Sequence, residues 1–169
     1  HSSKKRSVWL GVNLITALIA VYFIGLFEAT LQQKIALAIL MPVVASMGGI
    51  AGTQTLIIVT RGIATGKVTT ANIKALINKE VAVSGLNGII WSLVIGLITY
   101  YWFSDLLLSL IIALAIITNL IVAAFSGAFL PLLLSKLRID PALAGGVILT
   151  TITDVIGFVA FLGLAALFI

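Results

Sequence analysis

Five runs of mostly apolar residues, each about 20 or more long, follow one another with short polar breaks: residues 8–27, 35–60, 81–103, 106–134 and 141–169. At 1.5 Å of rise per residue, a helix of that length matches a hydrocarbon core of about 30 Å. The sequence therefore predicts an all-α integral membrane protein with five transmembrane helices. A 62% hydrophobic, 9% charged chain with mean hydropathy +1.29 carries more apolar surface than a water-soluble domain of 169 residues hides in one core. With no Cys there is no disulfide framework, thiolate metal site or thiol nucleophile. No nucleotide-binding loop of the Walker A type is present, so the chain itself shows no ATP coupling. Nothing in it reads as an enzyme. Residues 1–7 form a short basic segment whose His1, Ser2 and Ser3 read as a tag remnant, and the full-length first run argues against a cleavable signal peptide.

Five spans place the termini on opposite sides of the membrane. Nine of the ten Lys and Arg residues then fall on the side of the N-terminus: Lys4, Lys5, Arg6, Arg61, Lys67, Lys74, Lys79, Lys136 and Arg138. Only Lys34 falls on the other. By the positive-inside rule the N-terminus is expected in the cytoplasm and the C-terminus outside, in a bacterial or archaeal inner (plasma) membrane. The net charge of +5 is thus a topology signal and not a nucleic-acid footprint, with attraction to anionic lipid second.

The second span contains Pro42 and three glycines within Ser46–Gly52, which lower the cost of leaving helical geometry. A broken or thin helix is expected there, lining a passage; the alternative is close packing through Gly48 and Gly52, a GxxxG pair. From Thr70 the spacing of Ile73, Leu76 and Ile77 suits an interfacial amphipathic helix running into the third span. In that span Ser84, Gly88, Ser92 and Gly96 recur every four residues as a packing seam, and Tyr100, Tyr101 and Trp102 close it at the headgroup level. Ser104 and Asp105 leave room only for a tight turn, so the fourth span returns beside the third. Asn119 and Ser126 within it read as interhelical hydrogen-bonding groups, and Pro131 as a bend. Asp140 suits a cap for a helix starting at Pro141.

The last span holds one carboxylate, Asp154, about 20 Å along a straight helix from Pro141 and hence near mid-membrane. A charge there costs roughly 2.5–3.5 kcal/mol even on lenient insertion scales, so it must face a partner, a cavity or an ion. Ala142, Gly146, Thr150 and Asp154 lie four apart and share a face, with Thr151 and Gly157 at its edge. Small residues, hydroxyls and one acid suit a water-bearing path. A hard divalent cation fits such oxygen donors. Magnesium keeps several waters, so one or two carboxylates suffice, and a homodimer would supply two. An inside-negative potential of 100 mV favours entry of a divalent ion by roughly 4.6 kcal/mol, so a passive pore is enough.

Met41–Gln54 (MPVVASMGGIAGTQ), the Lys79–Glu80 pair, SGAFLP in the fourth span and above all Asp140–Phe158 (DPALAGGVILTTITDVIGF) resemble the transmembrane domain of MgtE-family magnesium channels. The resemblance covers all five spans. It implies a homodimeric pore lined by the second and fifth helices of both subunits, with Asp154 as the ion-binding aspartate. It also implies a pore wall of Gly48, Gly49, Gly52 and Gln54 together with Gly146, Thr150 and Thr151. Ile50 stands where the family usually has Asn, and Val147 where it usually has Pro. Members commonly carry cytoplasmic magnesium-sensing domains ahead of the first helix, so a regulatory domain missing from this chain is expected. The expected function is passive uptake of Mg2+ or other divalent cations across the lipid bilayer. The alternatives are a proton- or sodium-coupled carrier using Asp154 and a non-transporting scaffold.

Overall fold

The computed structural model describes residues 2–69, 71–139 and 141–168. These form six helices: α1 (Ser2–Gly25), α2 (Glu28–Gln33), α3 (Ile35–Ala64), α4 (Ile73–Phe103), α5 (Leu106–Lys136) and α6 (Pro141–Phe168). Five are long and apolar enough to cross a membrane, whereas α2 is a six-residue connector. There is no strand among the described residues.

Helix α5 is the centre of the bundle. It is apolar all round, the pattern of a helix that neighbours enclose, and α3, α4 and α6 all pack against it. Leu37, Leu40 and Val44 of α3, Leu108, Ile112 and Ile116 of α5, and Phe161 and Leu162 of α6 form the larger buried cluster. A smaller one, Leu56, Leu130 and Leu149, fills the other end of the same three-helix contact. Helix α4 leans on α5 and scarcely touches α3. Its seam faces α5 as the four-residue spacing suggests: Ser84, Gly88 and Ser92 are buried, and a Cβ on Gly88 would sit 3.5 Å from the Ile117 Cα. Helix α1 packs chiefly on α6 and leaves most of its surface outward.

One expectation is corrected. Helix α3 is not broken, since Pro42 lies inside a continuous Ile35–Ala64 helix on an exposed position. One missing N–H removes a single backbone bond, and two of the three glycines, Gly48 and Gly52, pack against Asn119 of α5 and Leu149 of α6. The segment before the third span runs into it as expected: from Ile73 it forms the first two turns of α4.

The connections are tight. Asp105 caps α5 by accepting from the Leu108 N–H at 3.2 Å, while Ser104 takes the left-handed conformation (φ 52) that reverses the chain. Lys34, at the start of α3, forms an ion pair with Asp105 and ties the two turns at that end together. Pro141 opens α6 as expected. Its proposed cap Asp140 lies outside the described residues, as do the side chain of Ala142 and the start of the α4 segment at Thr70.

Candidate ion site

Helix α6 divides its residues between two faces. Leu149, Thr153, Gly157 and Phe161, spaced by four, are buried against α3 and α5. Thr153 satisfies its hydroxyl within the helix by donating to the Leu149 carbonyl at 3.0 Å. Successive helical residues are separated by about 100°, so Gly146, Thr150 and Asp154 form a second ridge turned away from that core. Gly146 has open space where a Cβ would stand, Thr150 is exposed and Asp154 is partly exposed.

This ridge floors a trough between α1 and α3. On one side a cavity of about 610 Å³ is lined by Arg6, Trp9, Leu10 and Asn13 of α1 with Gly146, Val147 and Thr150. On the other, about 430 Å³ is lined by Thr53, Ile57, Thr60 and Arg61 of α3 with Pro141 and Gly146. Among the described residues, α6 packs chiefly against α5, α3 and α1, with a smaller contact to α2. Asp154 is the ridge's one charge, about one turn beyond Thr150. Among the described residues no side chain makes an ion pair or hydrogen bond with it; the ion pair present is Lys34–Asp105, in the turns. Nor do the described residues hold a cluster of three or more His, Cys, Asp or Glu groups suited to a closed metal cage. The trough itself offers neutral oxygens and room for water, with Arg6 and Arg61 among its lining residues, and the carboxylate of Asp154 lies beyond it on the same ridge.

The residues expected on the pore wall separate. Gly49, Gly146 and Thr150 are open or exposed, and Thr151 is partly buried with its hydroxyl donating to the Val147 carbonyl at 2.9 Å. Gly48 and Gly52 are buried helix contacts instead: a Cβ on Gly48 would collide with Asn119 of α5, and one on Gly52 would meet Leu149 of α6 at 3.0 Å. The packing alternative for that GxxxG pair describes their positions. Gln54 faces away from the trough altogether. It lines a groove of about 430 Å³ between α3 and α4 with Thr55, Glu80, Ser84 and Asn87, where the Thr55 hydroxyl donates to Glu80 at 3.4 Å. Ile50 lines that groove too, so this departure from the family pattern falls away from Asp154.

Asn13, Thr53 and Thr60 were not singled out from sequence, yet they line the trough. The signal for Asn13 was present, since it is the one amide in the first apolar run.

A protein-family model, MgtE, described as a divalent cation transporter, matches residues 41–164. Over 98% of its length the chain is 35% identical to the magnesium transporter MgtE of Bacillus subtilis. It is 31% identical to that of Thermus thermophilus over 96% of its length, and 28% identical to that of Enterococcus faecalis over 99%. It spans only 36–37% of the length of these relatives. With a match covering four of the five long helices and most of the core, the chain belongs to the MgtE family of divalent cation transporters.

Proposed function

We propose that this chain is the ion-conducting membrane domain of a magnesium transporter, working as a homodimer whose pore forms where the troughs of two copies face each other. The observation that carries this is Asp154: an acid in the middle of a long apolar helix, without a protein counter-charge among the described residues, on the face the chain leaves uncovered. The names of the relatives support magnesium as the ion.

Two Asp154 carboxylates across a two-fold axis would neutralise one divalent ion and leave its other positions to water, which suits an ion that dehydrates reluctantly. The Thr150 hydroxyl, Gly146 and Thr53 give that hydrated ion a small, polar wall. A passive path needs no energy source in the chain, because the membrane potential alone favours inward movement of two charges. The cytoplasmic side is assigned to the end bearing nine of the ten cationic side chains. Regulation by a domain outside this chain agrees with the greater length of the relatives.

The test is Mg2+ uptake into liposomes under a potassium-diffusion potential, without a proton or sodium gradient, comparing wild type with Asp154→Asn. We expect uptake in the wild type and its loss in the variant, with unchanged elution on size exclusion. A strict need for a proton gradient would establish a coupled carrier instead. Full uptake by Asp154→Asn would remove the carboxylate from the mechanism.

A further inference from the structure

A second built cavity lies at the same end of the bundle as the basic segments, where α3 hands over to α4. It has a volume of about 510 Å³ and is lined by Ile58, Arg61 and Gly62 of α3, Lys67 and Val68 of the connector, and Leu76 and Lys79 of α4, among others. Among the described residues, three cationic side chains and no carboxylate line it. Its remaining wall is largely apolar, and through Ile58 it adjoins the groove between α3 and α4 that opens because these helices scarcely touch. A cationic shelf at the end of an apolar groove between two membrane-length helices matches a molecule with an anionic head and an apolar tail.

The shelf is held in shape. Val68 donates its N–H to the Gly62 carbonyl at 3.0 Å, and its side chain rests where a Cβ on Gly62 would be. Asn72 donates to the Lys67 carbonyl at 2.7 Å and accepts from the Thr69 N–H at 2.8 Å, while Gly66 supplies the positive φ of the reversal (77°). This folded connector fixes the backbone of Lys67 at the cavity that Lys79 also lines. A merely solvated basic loop would need none of these bonds.

We infer that this cavity is a binding site for an anionic phospholipid, its headgroup phosphate held by Lys67, Lys79 and Arg61 and an acyl chain lying in the groove between α3 and α4. Cationic residues at the membrane surface contribute about 1 kcal/mol each toward anionic lipid, so two lysines amount to roughly a tenfold to thirtyfold preference. The inference does not depend on the ion path, since of the residues lining this cavity only Arg61 also lines a cavity beside α6.

The experiment measures lipid retained by the purified intact protein in native mass spectrometry, after exchange into mixed micelles of phosphatidylglycerol and phosphatidylcholine. Wild type is expected to retain phosphatidylglycerol at least about tenfold over phosphatidylcholine. Lys67→Gln/Lys79→Gln should lose most of that preference, whereas Lys4→Gln/Lys5→Gln, which removes as much charge outside the cavity, should keep it. Lys67→Arg/Lys79→Arg, retaining charge, should also keep it, which separates loss of the site from misfolding. Equal retention of the two lipids by wild type, or an unchanged preference in the Gln variant, would overturn the assignment. Full displacement of phosphatidylglycerol by millimolar inorganic phosphate would overturn it in favour of a soluble-anion site.

Discussion

Asn119 of α5 donates its side-chain amide to the backbone carbonyl of Val44 on α3 at 3.1 Å, from a position with no exposed surface. Its amide nitrogen also occupies the space that a Cβ on Gly157 of α6 would meet at 2.8 Å, and Gly48 of α3 makes room for it from the other side. One polar side chain thus joins the three helices that build the core, between the two apolar clusters. The glycines explain themselves here: each is the absence of a methyl group that would displace the amide.

Replacing Asn119 with Ala should cost about 2 kcal/mol, combining the interhelical hydrogen bond with the cavity left between Gly48 and Gly157. The measurement is SDS-induced unfolding of the purified protein. A change below about 0.5 kcal/mol would show that the contact is not a structural joint.

Glycines on the two faces of the bundle should respond oppositely. A Cβ on Gly127 would lie 2.6 Å from the Gly52 carbonyl oxygen, a backbone atom that cannot rotate aside, so Gly127→Ala should destabilise by about 1–3 kcal/mol. Gly146→Ala meets nothing within 4 Å and should leave the thermal unfolding midpoint unchanged or slightly raised. If the trough carries the ion, the same Gly146→Ala should nonetheless alter Mg2+ uptake. Normal stability with normal flux would place the path elsewhere.

Thr53 and Gln54 are neighbours in sequence but line different cavities, one beside α6 and one beside α4. Thr53→Leu is therefore expected to lower uptake severalfold, while Gln54→Leu leaves it near wild type. Liposome flux with matched protein amounts decides this, and the reverse order of effects would move the path to the groove containing Glu80.

The Lys34–Asp105 pair makes a pH prediction. The hydrogen bond from Lys34 holds the Asp105 carboxyl below its ordinary 3.8, assisted by the Leu108 N–H, against the opposing effect of burial. Between the folded and unfolded values the unfolded chain binds more protons, so stability rises with pH there. The contribution is complete above 3.8 and lost as pH falls through the depressed folded value. For a partly exposed pair it amounts to about 0.5–1 kcal/mol. Wild type and Asp105→Asn should thus differ in unfolding midpoint near pH 6 and converge in strong acid; a constant difference would assign the effect to the cap alone.

The order of the helices and the isolation of Asp154 were determined by sequence alone, because both rest on local quantities: run length against bilayer thickness, and the cost of a charge among apolar neighbours. The seam of Ser84, Gly88 and Ser92 was legible for the same reason, since a four-residue repeat fixes a face. Which of the glycines in Ser46–Gly52 pack and which stay open was not legible. Gly48 and Gly49 are chemically identical neighbours, separated only by 100° of helix rotation and by the presence of Asn119 more than 70 residues away. The unbroken course of α3 was likewise a tertiary outcome, because glycine lowers the cost of leaving a helix but packing by α5 and α6 decides whether it leaves. The trough itself, with Asn13, Thr53 and Thr150 brought together from three helices, exists only once α1 and α3 have docked on either side of α6.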